Sequence, residues 1–246
     1  MKGLALVHPG TVELGPAGLF ANRRFYLVTD EGRLFNGKAH GPLVQVAAST
    51  SPDGTMLDLQ FPDGALVGGE VVVGEAVVTD FYGEPVDGRV VHGPWAEALS
   101  AFAGRTIRLI RAEDEAGGSD RGRRGSISIV SVASLERLAE EAGVEAVDGR
   151  RFRMLFTIDG VAAHEEDAWL GRDVAVGEAV VRPNGLTGRC AVTTHDPDSG
   201  SPTLDTLRVL RAYRGEVPTA EPLPFGVWGE VVGAGRVTVG DAVGPV

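Results

Sequence analysis

The chain has 246 residues, of which 43 % are hydrophobic and 23 % charged, with a formal net charge of −11; that is length for one sizeable core or two smaller ones. So acidic a chain is a poor general binder of nucleic acid or anionic membrane, and it has neither a helix-long apolar run nor a basic start followed by an apolar segment, so no membrane span or secretory signal is expected. Its single cysteine, Cys190, excludes an internal disulfide, fits a reducing, cytoplasmic setting, and cannot hold an iron–sulfur cluster, which takes about four such ligands.

Residues 1 to about 110 read as short strands punctuated by tight turns. Leu4-Ala5-Leu6-Val7 begins a strand closed by His8-Pro9-Gly10. Arg24 to Thr29, the turn Asp30-Glu31-Gly32 and Arg33-Leu34-Phe35 form a hairpin pattern. Further turn signals stand at Asn36-Gly37, Asp53-Gly54 and Asp63-Gly64, and the runs Val71 to Val73 and Ala76 to Val78 read as buried strands. Such spacing predicts a barrel or sandwich rather than parallel βαβ units. One helix is well marked: Trp95, Ala98, Leu99 and Phe102 share a face after Pro94, and Gly104 closes it.

The segment 112–125 starts acidic and glycine-bearing and ends Arg121-Gly122-Arg123-Arg124-Gly125, the pattern of a linker or mobile loop. It divides an N-terminal β region, 1–111, from a C-terminal one, 126–246, with strand exchange between the two allowed. In the second region Ser126 to Val130 alternates as a strand. Ser134 is placed to cap a helix whose face carries Leu135, Leu138, Ala139 and Ala142, and Gly143 ends it. Met154 to Ile158 and Glu178 to Val181 read as strands, Leu204 to Tyr213 as a helix or packing segment, and 216–224 as a proline-bearing loop. The tail, Phe225 to Val232 and Arg236 to Asp241, reads as two strands.

Around Cys190 the β-favouring run Ala191 to Thr194 is followed by a turn at Asp196-Pro197-Asp198-Ser199-Gly200, which places the thiol at the start of a strand. A cation beside a thiol favours the thiolate, the nucleophilic and metal-ligating form, and Arg189 is adjacent; a buried, inert cysteine is the competing reading. Arginines cluster at 23–24, at 121, 123 and 124, and at 150, 151 and 153. In an acidic chain they suit a small anion better than a polymer. The five histidines are scattered without zinc-ligand spacing, and in an extended strand His195 would lie about 16 Å from Cys190. Glu165-Glu166-Asp167 reads as an acidic turn, solvated or hydrogen-bonded, ahead of catalytic carboxylates.

Gly188-Arg189-Cys190-Ala191-Val192-Thr193-Thr194-His195-Asp196-Pro197-Asp198-Ser199-Gly200, followed by Leu204 to Arg208, resembles the signature of MOSC domains, named after the C-terminal domain of molybdenum cofactor sulfurase. Arg151-Phe152-Arg153, His164 to Trp169, the early run Asn22 to Val28 and the closing Gly240-Asp241-Ala242-Val243 extend the likeness over nearly the whole chain. The resemblance implies a mainly β fold with a few helices, an N-terminal β region joined to a MOSC β-barrel. It implies the molybdenum cofactor, molybdopterin, with Cys190 as metal ligand and catalytic centre, and Thr11, Arg24, Gly125, Ser126, Arg153 and Arg189 around the cofactor. Two positions depart from the family pattern: Gly10 stands where close relatives carry lysine, and Met154-Leu155 follow Arg153 in place of Pro-Asn.

The amidoxime-reducing branch of that family implies an oxidoreductase acting on small N-oxygenated compounds, with electrons from a separate reductase or iron–sulfur protein. Two alternatives stay open from sequence: a sulfur carrier holding a persulfide on Cys190, and a cofactor-binding module without turnover.

Overall fold

The computed structural model describes residues 1–20, 22–51, 53–113 and 123–246. The expected linker 112–125 lies largely outside them, with Arg121 among the residues not described. Its ends are structured: Ala112 finishes a strand and Arg123–Gly125 is a 3-10 turn. Most of the regular structure is strand, with three α-helices among the described residues. None of those helices is long and apolar enough to cross a membrane.

Two compact units emerge, and their boundaries are interleaved in sequence. The first comprises Met1–Val7, Phe20–Gly122 and Pro197–Ser201; the second comprises His8–Leu19, Arg123–Asp196 and Pro202–Val246.

The first unit holds a five-stranded antiparallel sheet, ordered Leu34–Phe35, Phe25–Thr29, Ile107–Ala112, Glu84–His92, Val72–Phe81. A bridge from Arg33 to Asp80 brings the two edge strands towards closure. A second, three-stranded sheet comprises Ala47–Thr50, Met56–Gln60 and Leu66–Glu70. The helix α1, Trp95–Ala103, forms where its spacing predicts, with Gly104 left-handed at φ 63°. It buries Trp95 and Leu99 against Phe25, Leu27, Leu57 and Leu109.

Two readings of this half are corrected. Leu4 to Val7 is not a strand; Leu4 instead plugs the core at 0 % exposure. The runs around Val72 and Val78 form one edge strand, and those two valines face solvent, because an edge strand with one neighbour has less to pack against.

The second unit is built on a six-stranded sheet, ordered Phe156–Ile158, Ile127–Ser131, Pro224–Gly233, Ala179–Gly188, Val174–Val176, Val243–Pro245. Its pairings are antiparallel except for Ile127–Ser131 with Phe156–Ile158. That parallel pair is joined through α2, Val132–Ala142, as a crossover requires. A smaller sheet pairs Thr11–Gly15 with Gly235–Thr238 and Gly18–Leu19.

Ser131, not Ser134, caps α2: its Oγ accepts from the Ser134 N–H at 3.1 Å. The helix therefore starts one turn earlier than its apolar face alone indicates. The third helix, α3, spans Thr206–Arg214, with the Asp205 carboxylate accepting from the Arg208 N–H.

Candidate functional site around Cys190

Cys190 ends the run that follows the long strand Ala179–Gly188, and it is solvent-exposed. The buried, inert reading is thereby overturned. The expected strand after it is absent as well: Ala191–Thr194 is a 3-10 turn with Cys190 as its N-cap. Threonine hydroxyls explain the switch. Thr193 donates from both its N–H and its Oγ1 to the Cys190 carbonyl, at 3.1 and 3.0 Å, and Thr194 Oγ1 donates to the Ala191 carbonyl at 2.7 Å. Such local bonds compete with a sheet ladder and here outweigh β propensity. His195 closes the turn, so the extended path that set it about 16 Å from the thiol does not apply.

Arg189 does not extend into solvent beside the thiol. At 9 % exposure its guanidinium points into the unit, donating Nε–H to the Phe225 carbonyl at 2.9 Å and Nη1–H to the Phe152 carbonyl at 3.1 Å. A second donor, Nη2, bonds the same Phe225 oxygen and lies 3.0 Å from Met154 Sδ. The plane of the group rests over the Phe152 ring, 5.2 Å from its centroid. A cation placed this way is paired with interior carbonyls, which is how a charge tolerates burial. Those contacts make Arg189 an internal brace.

The 150–153 cluster also divides. Arg150 pairs with Asp148 at 2.6 Å. Arg151 turns the other way, donating to the Thr194 carbonyl at 3.1 Å and to Thr203 Oγ1 at 2.7 Å. Arg153 closes the 3-10 turn Gly149–Phe152 in the left-handed region, φ 54°. That conformation is uncommon outside glycine and marks positions held by their surroundings.

The remaining expected site residues sit as follows. Thr11 is exposed on its strand opposite Thr238, with the two hydroxyl oxygens 3.2 Å apart. Gly125 ends the 3-10 turn Arg123–Gly125, whose Arg124 carbonyl accepts from Asn184 Nδ2 at 3.2 Å. Ser126 Oγ is buried without a protein partner, and the backbone of Gly18 approaches so closely that a Cβ there would stand 2.5 Å from the Ser126 Cβ. Arg24 belongs to the first unit. It is 5 % exposed, donates Nη1–H to the Asp53 carbonyl at 2.8 Å, and lies over the Phe20 ring.

Sequence reasoning missed one feature behind the Cys190 strand. Glu166 is fully buried, accepting from the Ser131 N–H at 3.2 Å and from Ser134 Oγ at 2.9 Å. Arg214, also buried, donates to Asp167 at 2.5 Å and to the Pro224 carbonyl at 2.7 Å. The acidic turn is thus hydrogen-bonded rather than solvated, with only Glu165 of the three exposed. Burial, with Arg214 and Arg137 adding to it, pushes the His164 imidazole down to about 4. Burial also raises Asp167, against the pull of Arg214, and lifts the Tyr213 phenol to about 12. Ser131 at the cap of α2 and Ser134 in its first turn were the available signal, since a buried carboxylate needs donors of that kind.

The MOSC domain family matches residues 91–244, which include Cys190, Arg153 and the whole acidic turn. The chain belongs to the MOSC domain family. Among curated relatives of this MOSC protein, mitochondrial amidoxime-reducing component 1 of Mus musculus is 30 % identical over 141 residues, 55 % of this chain and 40 % of that protein. The Xenopus laevis protein of the same name is 26 % identical over 254 residues, 92 % of this chain and 73 % of that protein. The mouse match thus spans two fifths of its relative's length.

The family is associated with the molybdenum cofactor, and the residues around Cys190 fit such a group. No cluster of three or more histidine, cysteine or carboxylate side chains among the described residues could hold a bare metal. Cys190 offers an exposed thiol, the soft donor such a cofactor's metal accepts. Flanking it in sequence, Thr187 Oγ1 and His195 Nδ1 are buried polar atoms without a protein partner.

Proposed function

We propose that this MOSC protein binds the molybdenum cofactor through Cys190 and reduces small N-oxygenated compounds. The observation that carries this reading is the exposed thiol at the head of a turn braced by Arg151 and Arg189, in a chain whose relatives bear the name amidoxime-reducing. Cys190 Sγ would ligate the metal as thiolate, a soft donor suited to molybdenum. Arg153 would face the pterin phosphate, where a planar guanidinium can make paired hydrogen bonds. When bound, the cofactor supplies the two-electron chemistry that takes oxygen from nitrogen. The chain's part is to hold it, orient it and keep competing reactions out.

Electrons come from a separate reductase or iron–sulfur protein, because one cysteine cannot hold a cluster. The test is reduction of a benzamidoxime by protein made in a cofactor-synthesising host, with an artificial one-electron donor. Turnover that depends on Cys190 supports the reading; its absence from protein shown to hold molybdenum counts against the activity.

A second reading starts from the same exposed thiol. The Cys190 thiolate would take the outer sulfur of a donor protein's persulfide, releasing the donor as a thiolate, and pass that sulfur to an acceptor without a resident metal. Alkylation followed by mass analysis separates the two: a trapped persulfide without molybdenum supports the carrier.

A further inference from the structure

We infer that Arg151 and Arg189 are positioning residues that lock the Cys190 turn to the Gly149–Phe152 turn, and so fix the thiol relative to Arg153. The inference rests on the proposed roles of Cys190 and Arg153 but is read from contacts that need no cofactor.

The two arginines act reciprocally. From the residue before the thiol, Arg189 reaches across to the Phe152 carbonyl, one residue before Arg153, and to Met154 Sδ, one residue after it. From the opposite turn, Arg151 reaches back to the Thr194 carbonyl, four residues after the thiol. Each turn thus supplies a guanidinium and accepts one. Arg151 is held further by Thr203 Oγ1 and by Asp196 at 3.9 Å, and only 9 % of its side chain is exposed.

The backbone entering the thiol is tied down as well. The Gly188 N–H donates to the Glu221 carboxylate at 2.9 Å, and the Arg189 N–H donates to the Pro222 carbonyl at 3.1 Å. A planar fork reaches two carbonyls at once in a way that a lysine ammonium does not. Arg189 uses the fork in this way, Arg151 spans one carbonyl and the Thr203 hydroxyl, and neither guanidinium need touch a ligand. Met154, one of the two departures from the family motif, serves this brace as the sulfur acceptor for Arg189.

The experiment uses cofactor-free full-length protein. Arg151→Met removes one arm while keeping the apolar stem. Because the Cys190 thiol is already exposed, the loss of one net hydrogen bond is read in the backbone of the turn, as amide exchange about fivefold faster. Amide exchange should quicken at residues 190–195 and stay unchanged in the strand Ile127–Ser131. Arg151→Lys should restore part of the effect. Arg189→Met should act in the same direction; because it leaves interior carbonyls bare, Arg151 carries the decision if the Arg189 variant fails to fold.

Unchanged exchange at residues 190–195 in folded Arg151→Met overturns the inference. So does a change spread evenly over the whole unit, which would mark Arg151 as a general stabiliser. Molybdenum content of the wild-type protein from a cofactor-making host is measured alongside. Absence of the metal there, with local loosening intact, refutes the proposed function and leaves the brace standing.

Discussion

Arg24 Nη1 lies 2.8 Å from the carbonyl oxygen of Asp53, and a Cβ on the next residue, Gly54, would stand 2.1 Å from that same nitrogen. Gly54 is also left-handed, at φ +71°. Alanine there brings both backbone strain and displacement of a buried guanidinium, and should lower stability by about 2–3 kcal/mol. Gly64 is the control. Its φ is +88° with nothing within 4 Å, so Gly64→Ala should show the strain alone, about 1–2 kcal/mol. The separation of the two urea midpoints measures the contact with Arg24; coincident midpoints would show that Arg24 yields freely.

Neighbouring carboxylates in the acidic turn should behave oppositely. Glu166→Ala leaves the Ser131 N–H and the Ser134 hydroxyl without their buried acceptor and should destabilise by about 2–3 kcal/mol. Glu165 is exposed and accepts one bond from the Ala162 N–H; its alanine variant should lose at most about 1 kcal/mol. Thermal unfolding of the two proteins decides the matter.

The His164 imidazole gives a pH dependence with a definite sign. Folding lowers its pKa from 6.5 to about 4, first through burial and then through Arg214 and Arg137. Between those values the unfolded chain binds more protons than the folded one. The His164 contribution is thus complete above pH 6.5 and lost as pH falls through about 4. Asp167, whose pKa is raised by burial, works against folding at neutral pH and less so as acid protonates it. In His164→Asn, which keeps a residue suited to the left-handed φ of 62°, Tm should fall less steeply between pH 6.5 and 4. A slope equal to wild type would remove His164 from the account.

Arg153 is predicted to hold the cofactor through its phosphate. Arg153→Ala should retain less pterin than wild type at low salt, and the shortfall should narrow as salt rises, since added ions screen the contact that the variant lacks. Arg24→Ala, the other arginine singled out by the resemblance, belongs in the same series. Full retention in either single variant would remove that residue from cofactor binding.

Much of this was legible in the sequence, for particular reasons. The Gly188 to Gly200 motif marked the thiol, and α1 stood out because four apolar residues share a face between Pro94 and Gly104. The strand after Cys190 was misread, because propensity sees β-branched threonines while the structure uses their hydroxyls to wind a 3-10 turn. The partners of single arginines were not legible either. Composition registers charge but not direction, and Arg150, Arg151 and Arg189 spend theirs on Asp148 and on backbone carbonyls inside the protein. The buried Glu166 was hidden because its donors come from Ser131 and Ser134, more than thirty residues away in the chain.

The most direct test of the central claim is molybdenum and pterin content, measured together on wild-type and Cys190→Ser proteins from a host that makes the cofactor. Because Cys190 is exposed, the serine variant should match wild-type stability within about 0.5 kcal/mol, so any loss of metal reads as loss of a ligand. The account predicts about one molybdenum and one pterin per wild-type chain, with the metal largely gone from the variant. Wild-type protein free of both, or a serine variant that keeps its molybdenum, would contradict it.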